Sequence, residues 1–216
     1  MFKVRIEFSK MGSAAYLSHL DLMKTLQRAF VRARLPVKYS QGFNPHIEMS
    51  LPVPLSTGYR SVCDLCDLEL TTEEVPVDLL PQLNAVLPEG LKALRVGLAS
   101  RPAREVRFCE YTLMLPGGDE RAMAMVFQAP VPMEKRSKRG SREVDLRDYI
   151  RTLEFMRTDG HILCRCVLAA GEDPLNPLYI VRALRDRGLM DQEAAAVYTR
   201  TRLLDAEGAL FWACSE

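Results

Sequence analysis

The sequence lacks the features that mark a membrane protein or a secreted protein. No apolar run approaches the roughly 20 residues that a membrane-spanning helix needs. The first seven residues alternate between apolar and charged side chains, as a strand does, and contain no apolar core of a signal peptide. We therefore expect a soluble protein in the cytoplasm, without a membrane partner.

Motifs that hold cofactors are also missing. There is no C-x-x-x-C-x-x-C triplet to hold a radical-generating iron–sulfur cluster, and no glycine-rich phosphate loop. The C-x-x-C pair Cys63/Cys66 has no second pair to complete a zinc site. The alternation over residues 63–70 predicts a strand that directs these two thiols to opposite faces. We expect no metal and no cofactor, and we interpret both cysteines as structural.

Positive and negative charges are segregated along the chain, although the net charge is only +1. Residues 1–60 contain nine lysines and arginines against three acidic residues, whereas residues 61–100 contain two against seven. Such segregation favours a polyanion on one surface. The alternative is a fold that interleaves the two signs.

The pattern of elements predicts an α+β fold with two ferredoxin-like (βαββαβ) units in tandem, each an antiparallel sheet with helices on one face. We place the units at residues 1–100 and 105–216. The first half has strand patterns at 3–9, 37–40, 47–53, 61–70 and 91–99, and helix patterns from 18 to Pro36 and over 76–87. The second half has strand patterns at 107–115, 161–169 and 198–204, and helix patterns at 120–128, 145–153 and 177–187. A basic run at 134–142 lies between the outer strands of what the pattern allows to be a hairpin.

The first helix carries a basic stripe. Lys24, Arg28 and Arg32 recur every four residues, and Arg34 and Lys38 extend the charge past the end of the helix. Arginine and lysine side chains in this arrangement suit phosphate groups, so we predict an RNA-binding surface. The alternative is an ordinary solvated helix face.

The loop that follows carries rings beside that stripe. Tyr39, Phe43 and His46 offer stacking surfaces, and Gly42 and Asn44 permit a tight loop. Aromatic rings next to basic residues commonly hold unpaired bases, so we add Tyr39, Phe43 and Asn44 to the predicted RNA-binding set. The alternative is a structural turn whose rings plug the core.

Two histidines are candidate catalytic residues, if the chain is a nuclease. His19 lies in the first turn of the helix, where a neutral imidazole can act as a general base, and His46 is its candidate partner. Together they would cleave RNA through the 2′-hydroxyl without a metal. The alternative for His19 is a capping or packing role. The basic residues of the run at 135–142 are either a mobile solvent loop or a second contact to an RNA backbone.

Several strings of the sequence resemble a known bacterial family. They are YLSHLDL at 16–22, Arg28-Ala29, Leu35-Pro36, YSQGFNPH at 39–46, PLSTG at 54–58, DLRDYI at 145–150 and Arg200-Thr201. The family is a radical-SAM-associated domain of unknown function, fused to or encoded beside a B12-binding radical SAM protein. The resemblance implies a radical SAM protein as partner and a role in RNA metabolism, with transfer or ribosomal RNA as the expected nucleic acid.

Three functions remain open at this point. The first is an accessory protein, not itself an enzyme, that binds RNA for a radical SAM partner. The second is a docking module that binds the partner protein without touching RNA. The third is a metal-independent endoribonuclease, since CRISPR-repeat-processing endoribonucleases are also tandem ferredoxin-like proteins and resemble this chain in the order of elements. The charge segregation favours the first function.

Overall fold

The computed structural model describes residues 2–137 and 140–212, with the backbone alone at Ser137. The chain divides into an N-terminal unit, which comprises residues 2–105 with 211–212, and a C-terminal unit of residues 106–210. The boundary between the two predicted units, at 100–105, lies near this division. Residues 211–212 had been predicted to belong to the C-terminal unit. Within the described residues, no helix has the length and apolarity that crossing a membrane requires.

The N-terminal unit contains four strands, two α-helices and two short 3-10 helices. They are β1 (Phe2–Lys10), a 3-10 helix (Gly12–Tyr16), α1 (His19–Arg32), β2 (Met49–Ser50), β3 (Arg60–Leu70), α2 (Leu79–Asn84), β4 (Leu91–Leu98) and a second 3-10 helix (Ala103–Glu105). The strands lie in the order β4-β1-β3, with β2 on the outer side of β3, and all the pairs are antiparallel.

One face of this sheet forms the core of the unit. Val4, Ile6 and Phe8 alternate along β1 and point to the same side as Cys66 and Leu68 of β3, because Ile6 pairs with Cys66 and Val4 with Leu68. The buried side chains of α1 and α2 that complete this core are Leu22, Leu26, Ala29, Phe30, Leu79 and Leu83. Both helices therefore cover one face of the sheet.

The opposite face of the sheet carries a buried ion pair. The Arg5 side chain is 1% exposed and donates from Nε and Nη2 to the two Asp67 oxygens, at 2.6 and 2.7 Å. It also donates to the Arg101 carbonyl at 3.0 Å and lies over the ring of Phe211, 5.1 Å from the centroid. These partners satisfy a guanidinium that would otherwise be expensive to bury.

Over its described residues, 106–137 and 140–210, the C-terminal unit contains six strands, two α-helices and a 3-10 helix. They are β5 (Phe108–Pro116), α3 (Glu120–Val126), β6 (Pro132–Ser137), β7 (Gly140–Asp145), a 3-10 helix (Leu146–Tyr149), β8 (Ile150–Thr158), β9 (His161–Ala169), α4 (Leu178–Asp186) and β10 (Val197–Leu204). Strands β10-β5-β9-β8 pair antiparallel in that order, and β6 and β7 form a separate antiparallel hairpin.

The molecule is thus a mixed α/β protein with mostly antiparallel sheets and few helices. Three predicted elements are wrong. Residues 37–40 were predicted as a strand, but Val37 and Tyr39 make only isolated bridges. Residues 145–153 were predicted as a short helix, but only Leu146–Tyr149 is helical and the rest begins β8. Residues 47–53 were predicted as a strand, but only Met49–Ser50 pairs with β3 as a strand.

Candidate nucleic-acid interface

The predicted basic stripe lies on the exposed face of α1. The helix begins at a Ser18 cap, whose hydroxyl oxygen accepts the Asp21 N–H at 3.1 Å and whose O–H donates to the Asp21 carboxylate at 2.7 Å. Burial of Leu22, Leu26 and Phe30 against the sheet fixes the rotation of the helix. The basic residues between these positions are consequently held in solvent.

Four cations of this surface are exposed and have no partner among the described residues. Lys24, Arg28 and Arg32 are exposed on α1, and Arg34 is exposed just beyond it, with a left-handed backbone at φ 53°. Among the residues that the structure describes, their side chains make no ion pair and no hydrogen bond. We call these four residues the basic stripe. Their charge is available to a ligand.

Lys38, the fifth cation of the predicted surface, is paired with acidic side chains. Its ammonium group donates to Glu69 at 2.8 Å and lies 2.8 Å from Glu48, and these two carboxylates raise its pKa above the usual range, Glu48 most. The sequence places no acidic residue between Asp21 and Glu48, but β3 brings Glu69 alongside. Lys38 is therefore neutralised within the fold and is not part of the available charge.

The predicted ring-bearing loop is the tip of a short hairpin. Tyr39 bridges to Ile47, the Ser40 N–H donates to the His46 carbonyl at 2.8 Å, and the His46 N–H donates to the Ser40 hydroxyl at 3.1 Å. Tyr39 is 45% exposed, and Phe43 is fully exposed at 105%. Neither ring plugs the core, so the structural-turn interpretation does not account for them. Asn44 is exposed at the same tip.

The two candidate catalytic histidines lie in different local environments. The exposed His19 lines a small recess with Lys10 and Asp64. The His46 Nδ1 instead lies 2.9 Å from the Ser40 hydroxyl, within the hairpin. His46 is not among the residues that line the recess of His19. Their action as a catalytic pair stays a prediction from the sequence.

The recess beside His19 contains two buried polar residues that the sequence analysis missed. Lys10 is 1% exposed and Asp64 is 5% exposed. Lys10 continues the inward alternation of β1, and Asp64 interrupts an otherwise apolar run in β3. A charged residue at an inward position of a strand was the signal that should have identified both.

The cysteines of β3 are buried. Cys63 is 5% exposed and Cys66 1%, and burial raises the pKa of the Cys66 thiol far above its usual range. Within residues 2–137 and 140–212, no group of three or more side chains has the arrangement of a metal site.

The basic run of the C-terminal unit forms the β6–β7 hairpin itself, where a mobile loop was one prediction. The Asp173 carboxylate accepts hydrogen bonds from Lys135, from Arg142 and, at 2.7 Å, from the Tyr149 hydroxyl. These contacts, that of Lys135 most, lower the pKa of Asp173. Lys135 is almost fully buried over the Tyr149 ring. Arg136 pairs with Glu134 at 3.3 Å, so three cations of the run are paired. Lys138 and Arg139 lie outside the described residues.

The fold and this surface define the class: a mixed α/β protein whose N-terminal unit presents a basic stripe, unpaired among the described residues, and an exposed aromatic hairpin tip. The chain belongs to an uncharacterized protein family conserved in bacteria (DUF2344), whose model matches residues 3–177. No curated protein sequence matches the chain.

Solved structures supply a likeness of fold. A crystal structure of a Cbf5–Nop10–Gar1 complex matches 94% of this chain with a TM-score of 0.52 and 16% sequence identity. The match covers 49% of that chain, so our chain spans about half of its length. An unknown protein from Galdieria sulphuraria matches 92% of this chain and 98% of its own, at 13% identity, but its TM-score of 0.26 carries no argument.

Proposed function

We propose that this chain is an RNA-binding accessory protein whose basic stripe and hairpin tip hold single-stranded RNA. The observation that carries the proposal is the combination of four exposed, unpaired cations with a fully exposed phenylalanine, all within the N-terminal unit. Unpaired cations attract phosphates through long-range electrostatics and the release of counterions. A solvated aromatic ring gains stability when an unpaired base stacks on it.

The fold supports this function only by analogy. Both units have the strand order that a βαββαβ motif has, with β6–β7 as an insertion in the second unit, and we infer that both are ferredoxin-like. The resemblance to a chain of the Cbf5–Nop10–Gar1 complex, at 16% identity, is a resemblance of fold. Because folds host unrelated functions, the exposed residues carry the proposal.

The proposed partner is a radical SAM protein, with the two acting in the cytoplasm on transfer or ribosomal RNA. This part of the proposal rests on the resemblance of the motifs at 16–22 and 39–46 to the radical-SAM-associated family. A docking module that never contacts RNA is the alternative, and it would make no use of the unpaired stripe.

RNA binding is tested by fluorescence anisotropy with a labelled single-stranded RNA in EDTA. We expect Arg28→Glu to weaken binding about tenfold, because it removes one phosphate contact and adds a repulsive charge. Lys92→Glu is the matched control, since it changes the net charge equally. Lys92 lies on β4 between the core residues Leu91 and Ala93 and so points away from α1.

Three outcomes would contradict the accessory function. Equal losses in Arg28→Glu and Lys92→Glu would indicate non-specific attraction. No binding by the wild-type protein, together with co-purification of a radical SAM protein, would favour the docking module. Shortened RNA in EDTA that disappears in His19→Ala would favour the endoribonuclease.

A further inference from the structure

Two cations of the basic stripe also line a depression. The depression has a volume of about 430 Å³ and is bounded by the 3-10 helix at Gly12–Tyr16, by α1 and by the segment that follows α2. This volume lies within the range of about 300–1,000 Å³ that small-molecule sites occupy. Arg28 and Arg32 stand one turn apart on its α1 side.

The lining has three kinds of chemistry. Leu17, Val86 and Pro88 supply apolar surface, and the Ser13 and Thr25 hydroxyls supply donors and acceptors. The two guanidinium groups supply positive charge. A single carboxylate, that of Glu89, also lines the depression.

The walls are held in place by the backbone. The Met11 N–H donates to the Gly90 carbonyl at 2.8 Å, and the Gly58 N–H donates to the Ala15 carbonyl at 2.8 Å. Both ends of the 3-10 helix are thereby fastened to neighbouring segments. A site whose walls are already ordered loses less entropy when a ligand binds.

We propose that this depression holds one unpaired nucleotide of the bound RNA, an inference that rests on the proposed RNA binding. The phosphate pairs with Arg28 and Arg32, whose guanidinium groups match phosphate geometry. The base packs against the apolar wall, and the Glu89 carboxylate accepts a hydrogen bond from the ribose 2′-hydroxyl. An inorganic anion would leave the apolar wall unused, and an apolar ligand would leave two arginines unused.

The proposal predicts selection of single strands. A duplex keeps its bases stacked and paired, so it can offer phosphates to the stripe but no base to the depression. The charged stripe alone would bind both forms, whereas the hairpin tip and the depression each favour a single strand. The part of that preference that is lost when the depression is filled therefore measures the contribution of the depression.

The test fills the depression without changing charge. Ser13→Trp places an indole at an exposed lining position, and Val31→Trp is the matched control, at an exposed position of α1 outside the lining. Anisotropy is measured for a single-stranded RNA decamer and for a hairpin duplex of the same composition. We expect wild type and Val31→Trp to prefer the single strand, and Ser13→Trp to bind it about tenfold more weakly, with unchanged duplex affinity.

The other outcomes would contradict the role of the depression, the binding of RNA, or the assignment of the ligand to RNA. Wild-type affinity of Ser13→Trp for the single strand would remove the depression from the interface and leave the RNA-binding proposal intact. Absence of RNA binding by the wild type would overturn both. If adenosine 5′-monophosphate competes as strongly as the decamer, the site takes a free nucleotide and the assignment to RNA is wrong.

Discussion

At the scale of single residues, Asp145 fixes the turn between β7 and β8. Its carboxylate accepts the Val131 N–H and the Arg147 N–H, both at 3.0 Å, and pairs with the Arg147 guanidinium at 2.8 Å. These contacts, that with the guanidinium most, lower the pKa of Asp145 far below its ordinary value. A carboxyl group that is more acidic in the folded state stabilises the fold at neutral pH.

We expect Asp145→Asn to lower the free energy of unfolding at pH 7 by about 1–2 kcal/mol. Because the pKa is depressed in the folded state, this stabilisation is complete above the unfolded-state value of about 4 and is lost as pH falls toward the folded-state value. Urea unfolding between neutral pH and pH 3 measures the difference from wild type, which should shrink in acid. Asp148→Asn is the control, because that neighbouring side chain accepts no hydrogen bond within the described residues. A difference that stays constant with pH would contradict this role.

At the scale of elements, the sequence predicted the helices and strands in which the buried residues recur at a regular helical or strand spacing. The stripe of Leu22, Leu26, Ala29 and Phe30 predicted α1, and the strand pattern at 107–115 predicted β5, in which buried and more exposed residues alternate. The helix predicted at 145–153 failed because β8 is largely exposed or half-buried, so it has no clean alternation of apolar side chains. Local pattern therefore does not identify an element in which the apolar side chains fail to alternate.

The candidate interface, too, could be predicted from the sequence only in part. Periodicity along α1 was sufficient to find Arg28 and Arg32. The neutralisation of Lys38 was not predictable, because Glu69 comes from a strand 31 residues away. The depression also joins segments that are distant in sequence, so no local pattern indicates it.

The contact between the first 3-10 helix and the segment after α2 depends on Gly90. This glycine has φ +86°, and a Cβ there would lie 2.5 Å from the Met11 carbonyl oxygen and 2.9 Å from the Ala14 Cβ. Alanine would therefore combine backbone strain with a clash against backbone atoms.

We expect Gly90→Ala to lower the free energy of unfolding by roughly 2–4 kcal/mol. Gly12→Ala is the matched control, since its φ is +54° but nothing lies within 4 Å of the added Cβ. It should cost only about 1 kcal/mol, from the left-handed backbone alone. Thermal and urea denaturation of both variants measure the difference, and equal costs would show that the close approach is unimportant.

At the scale of the whole molecule, the number of basic residues in a stretch of sequence is not the number whose charge is exposed and unpaired in the fold. The first 60 residues contain nine lysines and arginines, but Arg5 is buried against Asp67 and Lys38 is held by two glutamates. The four residues of the basic stripe keep their charge exposed and unpaired. Electrostatic attraction of RNA should therefore depend on those four and not on the total.

The salt dependence of RNA binding measures this difference. Each phosphate contact to a single strand contributes about −0.7 to the slope of log K against log salt, so four contacts give about −2.8. Arg28→Ala/Arg32→Ala should make the slope less steep by about 1.4. Lys38→Ala should leave it unchanged, because Lys38 neutralises Glu48 and Glu69 whether or not RNA is present. If the slope became less steep by the same amount per removed cation in both variants, Lys38 would have to leave its carboxylates when RNA binds. The interface would then extend from the basic stripe onto β3.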